Sequence, residues 1–412
     1  MNNRIIGHTL AMLITSLNAS AQATEMPQEK ITAATCAGCH GANGIGISGE
    51  FPNLAGQKQA YLLKQLKAFK SGARKDPTMS TMAATLSEKD MQDLAAHFSN
   101  LPPTPATIHN NTATGKALKA QFPAPTYISM KKSGTLMLFP DTATWPGGPN
   151  MLYDAVTPDG RMVMATSPST GTLYIFDARN GKQLAIIKVG KAPKGVKVSP
   201  DGKTAYVSNQ GSSDISIIDL QKLTVTGSIT TKEGPHNVRF TRDGKRAYVT
   251  LQGGAGIGVI DTRRTEMVRV IPVPGITGPH NLDLSADEKT AYVRDFVHNV
   301  AVLDLESGKV SKVIPVGNGH GGIDVTPDGR FAATAAIGDK IVSLIDTKTL
   351  SVTNVEVGKG PHGIRASKDS RWLYVTLTGE NAIAIVDLKT MKLVNKIPSG
   401  KFPFWVAVPG NP

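Results

Sequence analysis

Cys36-Ala37-Gly38-Cys39-His40 contains the only two cysteines of this 412-residue chain and sets a histidine directly after the second. Two thiols three residues apart can both reach the vinyl groups of one porphyrin as thioethers, and the adjacent imidazole then points at the iron as proximal ligand. The spacing reads as covalent attachment of one haem c by Cys36 and Cys39, with His40 as an axial ligand. The competing chemistries are a redox Cys-x-x-Cys and half of a zinc site. The first has no need of the following histidine, and no second cysteine pair exists to complete a zinc tetrahedron. With both cysteines consumed by haem, no disulfide remains, so stability must come from core burial, for which this length is ample.

The elements around the motif read as a small helical domain. Tyr61, Leu62, Leu66 and Phe69 recur at helical spacing, and Ser87 with Asp90 resembles a capping box ahead of Met91, Leu94, Ala95 and Phe98. Leu101-Pro102 ends that helix. Between the helices, Asp76 to Met82 reads as a loop with two thioethers, Met79 and Met82.

Residues 31–101 resemble the small bacterial class I cytochromes c, through Cys-x-x-Cys-His-Gly, the Pro52-to-Gln57 segment Pro-Asn-Leu-Ala-Gly-Gln, and a Met-bearing loop before Leu86-Ser87. The resemblance implies an axial methionine seven residues before Leu86, which is Met79, with Met82 as runner-up. His/Met ligation raises the reduction potential and leaves no open coordination site, which suits outer-sphere electron transfer.

From about residue 102 the helical pattern gives way to short β-type runs such as Thr204-Ala205-Tyr206-Val207 and Ile215-Ser216-Ile217-Ile218-Asp219. The closing aspartate recurs at Asp177, Asp219, Asp261, Asp304, Asp346 and Asp387, and Pro-Asp-Gly-like turns recur at Asp159, Asp201, Asp243, Asp287, Asp328 and Asp369. A period of about 42 residues suits a four-stranded propeller blade. Six full units plus one shared between Phe404–Val408 and residues 126–145 predict seven blades, closed without exposed edges. The expected organisation is a leader at 1–23, an all-α cytochrome c domain at 24–101, a linker at 102–125 and an all-β seven-bladed propeller at 126–412. The Tyr-Val-Thr and Tyr-Val-Ser runs at Tyr206, Tyr248 and Tyr374 resemble the Tyr-Val-Thr-Asn class of seven-bladed propellers. That class implies a fold and no particular function.

Aligning the units on their turns exposes a column before each innermost strand. His236, His280, His320 and His362 fall on four consecutive units, with Asn150, Lys194 and Phe404 in the other three. Innermost strands line a propeller channel, so these four imidazoles should share one mouth and form a candidate metal site. The loop carrying Arg294, Asp295 and His298 should end on the same face; His97 and His109 lie elsewhere in the sequence. Imidazole suits copper, iron and zinc, or a second tetrapyrrole. The competing readings are loop-tying hydrogen bonds and an anion pocket.

Residues 24–101 carry 8 basic and 7 acidic side chains, whereas residues 102–412 carry 36 and 25. Arg4, the short apolar run Ile5–Leu17 and Ala21-Gln22-Ala23 read as a cleavable signal peptide, and no stretch approaches the ~20 apolar residues of a transmembrane helix. Export makes nucleic acid a poor partner for the basic half and leaves a small anionic substrate, a periplasmic redox protein or an anionic membrane surface. The arrangement is similar to haem-d-containing nitrite reductases, in which a cytochrome c feeds a propeller; the seven predicted blades depart from their eight. The expectation is a periplasmic electron-transfer protein passing electrons between its haem and the histidine-lined mouth. The alternative is a carrier whose propeller docks a partner oxidoreductase.

Overall fold

The computed structural model describes residues 33, 35–37, 39–41, 44, 51–101, 118, 121, 122, 124–141, 143–232, 234–254 and 256–410. The segment 1–23, His109 and residues 102–117 of the linker lie outside the described residues.

Gln59–Lys70, Pro77–Ala84 and Glu88–Asn100 are α-helices, and the described residues between 33 and 40 are helical too. Ser87 and Asp90 close a reciprocal capping box, the Asp90 amide donating to Ser87 Oγ at 3.1 Å and the Ser87 amide to Asp90 Oδ2 at 2.8 Å. Such a cap stabilises a helix start by roughly 1 kcal/mol. The helix it starts buries Met91, Leu94, Ala95 and Phe98 against Leu62 and Leu86, with Cys36 and Leu54 packed on that core.

The loop expected over Asp76–Met82 is a helix. Asp76 accepts hydrogen bonds from the amides of Thr78 and Met79 at 3.0 and 2.8 Å, and Pro77 takes the first helical position, where its missing N–H costs nothing. Met79 and Met82 consequently sit one turn apart on one side of a short helix.

The remainder is seven four-stranded antiparallel sheets. Their innermost strands, Asp154–Val156, Pro193–Val198, Pro235–Phe240, Pro279–Leu284, Ile323–Val325, Pro361–Ala366 and Pro403–Ala407, each touch the next and close a ring. The last of these pairs with Thr126–Met130, so strands from both ends of the propeller segment build one blade. Leu118 and Phe122 cap that blade by packing on Ile128, Phe139 and Tyr374.

The two aspartate ladders prove to be turn chemistry. Asp219 accepts from the amides of Gln221 and Lys222 at a strand end, and Asp201 accepts from the Ser199 hydroxyl and the Lys203 amide in a tight turn. Between the sheets, fully buried Val163, Ile175, Val207 and Ile218 belong to continuous inter-blade cores. Each such side chain contributes about 1.5–3 kcal/mol relative to exposure.

The innermost strands share a defect that matters for function. Pairing slips between Pro193 and Val196, Pro235 and Val238, Pro279 and Asn281, and Pro361 and Ile364. Lys194, His236, His280 and His362 sit in these slips, and a bulge re-aims the side chain it carries. Threonines on the neighbouring strand fix the bulges. Thr250 Oγ1 accepts from the Asn237 amide at 2.9 Å and donates to the His280 carbonyl at 3.0 Å. Thr376 Oγ1 likewise accepts from Gly363 at 2.7 Å and donates to the Phe404 carbonyl at 3.1 Å.

Candidate functional site

At the Cys-x-x-Cys-His segment the His40 ring is buried, and its Nδ1 lies 2.9 Å from the Pro52 carbonyl oxygen. Nδ1–H donates there, which fixes the tautomer and ring plane. Its Nε2 is buried with no hydrogen-bond partner. Burial, partly opposed by the Pro52 bond, pulls the imidazole below its ordinary pKa, which favours the neutral ring. Burial pushes the Cys36 and Cys39 thiols up, with Cys39 adding to the effect on Cys36. A dithiol redox site needs the opposite shift, toward thiolate. An orphaned imidazole nitrogen beside two unactivated half-buried thiols fits covalent haem, and Met79 and Met82, the two thioethers that the sequence singled out, are both half-buried.

At the propeller, four imidazoles converge. His236 and His280 have ring centroids 4.2 Å apart, His280 and His320 4.7 Å, and His320 and His362 5.2 Å. One donor nitrogen from each of His280, His320 and His362 lies within 4.8 Å of the other two. The Nε2 atoms of His280 and His362 are buried without partners. Burial, aided by the neighbouring imidazoles and Arg294, drives His280 and His320 well below the usual histidine range. Burial and the Lys194 charge push His236 down to about 3; burial, with Lys131 and Lys194 also lowering it against a bond to Phe404, brings His362 to about 4. All four rings are therefore neutral at pH 7.

The sequence column needs three corrections. Asn150 precedes its innermost strand in a left-handed conformation (φ 61°), and the first blade instead presents Tyr153, whose ring lies 5.3 Å from His236 and 4.6 Å from Trp405. His298 is exposed and makes no ring contact with the cluster. Its neighbour Phe296 does, stacking on His320 at 4.5 Å with the planes 10° apart. His236 is engaged at both nitrogens: Nδ1 at 2.9 Å from the His280 carbonyl oxygen and Nε2 at 3.3 Å from the Tyr153 hydroxyl.

Arg294, fully buried, occupies the place of the bulge threonine in its blade. It donates to the carbonyls of Asn299 at 3.1 Å, of Gly317 at 2.8 Å and of Gly319, and pairs with Asp295 at 3.0 Å. It thereby holds the loop that carries His320. Three residues further along the strands, Arg239 and Arg365 bond Asp283 and Asp324 in a buried charge network that gives the channel rigid walls. Tyr153, Phe296, Trp405 and Gln252, which lies 3.3 Å from His280 Nδ1, were not legible as site residues, because none of them stands in the aligned column that picked out the histidines.

A haem-type motif on a small helical domain followed by a seven-bladed propeller defines a c-type cytochrome fused to a β-propeller. Residues 28–102 match the cytochrome c family and residues 197–283 the YNCE-like β-propeller family. Cytochrome c-554(548) of Halomonas halodenitrificans is 42% identical over 69 residues, which is 16% of this chain and 83% of the relative. Through that domain the chain belongs to the cytochrome c family, whose cofactor is haem c. Cytochrome c4 of Pseudomonas aeruginosa is 38% identical over 100 residues, 24% of this chain and 49% of the relative. The thiosulfate dehydrogenase electron acceptor of Stutzerimonas stutzeri is 45% identical over 71 residues, 17% of this chain and 33% of the relative. The chain thus spans about half the length, or less, of these last two relatives. The solved structure of dihydro-heme d1 dehydrogenase NirN in complex with DHE aligns with TM-score 0.54 at 18% identity, over 94% of this chain and 99% of that one, which shows a shared fold. Among the described residues no helix is long and apolar enough to cross a membrane.

Proposed function

We propose that this chain is an exported c-type cytochrome that passes electrons between one haem c and a redox-active site at the imidazole-lined propeller mouth. Cys36 and Cys39 attach the haem, His40 supplies the proximal nitrogen, and Met79 supplies the thioether on the other side, with Met82 one turn away as the alternative. Haem c bound in this way supplies a one-electron couple. The Pro52 carbonyl keeps His40 Nδ1 protonated and so reserves Nε2 for iron. The buried faces of Leu62, Leu94 and Phe98 keep water from that side of the domain.

The observation that carries the second half is the convergence of three neutral imidazole nitrogens within 4.8 Å, two of them buried and unpartnered. Lys194, half-buried at the same mouth, suits a small anionic substrate drawn to that opening. The test is photoreduction of less than one haem per chain in full-length protein. The proposal expects a first-order, concentration-independent loss of haem reduction that disappears in a His280→Ala, His320→Ala double variant.

A second reading, in which the propeller docks a partner oxidoreductase, is favoured by the relationship to an electron acceptor of thiosulfate dehydrogenase and by exposed Phe296 and Val297 on the same loop. Under that reading haem reoxidation is bimolecular and indifferent to the histidines.

A further inference from the structure

We propose that His280, His320 and His362 bind one copper ion, with His236 outside the ligand set and Gln252 acting as a positioning residue. Each ring comes from a different blade, and their donor atoms already lie within 4.8 Å of one another. Metal–nitrogen distances of about 2.0–2.1 Å place three such donors roughly 3.4 Å apart, so donors already within 4.8 Å of one another need only a small further approach to close on one ion. Without a ligand, the buried unpartnered ring nitrogens of His280 and His362 carry a desolvation penalty that packing does not require.

The ring orientations match ligation. His362 Nδ1–H donates to the Phe404 carbonyl at 3.0 Å, which leaves Nε2 with its lone pair directed inward. His236 has no such freedom, since the His280 carbonyl and the Tyr153 hydroxyl take both of its nitrogens. At His280 the partner is the Gln252 side chain, 3.3 Å from Nδ1, which is itself bonded to Gln210. Amide oxygen and nitrogen interchange by rotation. Turning both glutamines places Gln252 Oε1 as acceptor for His280 Nδ1–H and frees Nε2 for the metal. The Gln210–Gln252 pair therefore sets the His280 tautomer.

The donor set selects the ion. Three imidazoles with no thiolate or carboxylate exclude the oxygen-seeking calcium, magnesium and manganese, and for nitrogen donors copper outranks zinc, nickel and cobalt. Phe296, 45% exposed, stacks over His320 on the solvent side of the site. The choice of a one-electron metal rests on the reading that the mouth exchanges electrons with the haem; the ligand set does not.

The experiment uses full-length, haem-loaded protein stripped with a chelator, then titrated separately with cuprous ion against a competing chromophoric chelator and with zinc ion. The expected result is about one copper per chain beyond the haem iron, bound more tightly than zinc, with nitrogen hyperfine structure in the cupric EPR spectrum. His320→Gln, at a half-buried position, should weaken cuprous affinity by roughly 100-fold at an unchanged melting temperature, and Gln252→Leu by about 10-fold or more, with rescue by Gln252→Glu. His236→Gln should leave the affinity within about threefold. Absence of stoichiometric copper, a preference for zinc, or equal losses in His236→Gln and His320→Gln would overturn the assignment. Copper binding without haem-to-mouth electron transfer keeps this site and defeats the functional reading, whereas such transfer without copper does the reverse.

Discussion

His362 Nδ1 lies 3.0 Å from the carbonyl oxygen of Phe404. Phe404 belongs to the strand Pro403–Ala407, which completes the blade begun at Thr126, so ring closure and orientation of a site imidazole depend on one segment. The rings also pack, with centroids 4.1 Å apart. Architecture and chemistry are coupled here through a single main-chain carbonyl.

Deleting residues 402–412 should therefore do two things at once. It removes the partner of Thr126–Met130 and opens the ring, and it releases His362. The propeller's β-sheet melting transition should disappear or move to much lower temperature, while the haem absorption of the helical domain persists. A truncated protein that melts at the original temperature would contradict the shared blade.

Arg294 offers a sharper test of how the His320 loop is held. Arg294→Leu leaves Asp295 buried with only neutral donors and frees the carbonyls of Gly317 and Gly319. Breaking a buried pair in this way costs about 3–5 kcal/mol, measurable by urea unfolding of the propeller. A loss below about 1 kcal/mol, the size of a surface pair, would show that the loop is ordered without Arg294.

Met79 and Met82 are separated by spectroscopy. Met79→Ala should abolish the weak thioether-to-iron charge-transfer band and lower the haem potential, because a thioether ligand raises it. Met82→Ala should leave both unchanged. The reverse pattern assigns the ligand to Met82.

Alkaline pH should destabilise the propeller through its buried tyrosines. Burial pushes Tyr127, Tyr206 and Tyr374 up to about 12, from an ordinary value of 10. Between pH 10 and 12 the unfolded chain has lost these protons and the folded chain has kept them, so stability falls as pH rises, by up to about 1.4 kcal/mol per pH unit for each tyrosine. It is fully present below pH 10. A Tyr206→Phe, Tyr374→Phe variant should show a shallower fall in melting temperature over this window, and an identical slope would refute the attribution.

The blades were legible because turn chemistry repeats: an aspartate every 41–43 residues accepts main-chain amides two or three residues further on. The four site histidines were legible for the same reason, since they share one offset from those turns or nearly so. Met79 was picked by its offset from Leu86, but its helix was missed, although Asp76-Pro77 is a helix-start signal in its own right. Tyr153 was missed because the first blade has a longer approach through Asn150, which shifts its channel residue away from the Gly-Pro-His column. The inertness of His236 as a ligand could not be read at all. It depends on the Tyr153 hydroxyl and on the His280 carbonyl of the next blade, contacts that only the packed ring of blades creates.

The most direct measurement of the central claim is a reductive titration that counts electrons per chain in full-length protein purified from metal-replete cells. The account predicts about two one-electron equivalents, one at haem c and one at the propeller mouth, falling to about one in the His280→Ala, His320→Ala double variant. A single equivalent in both proteins, all of it in the haem bands, would contradict it.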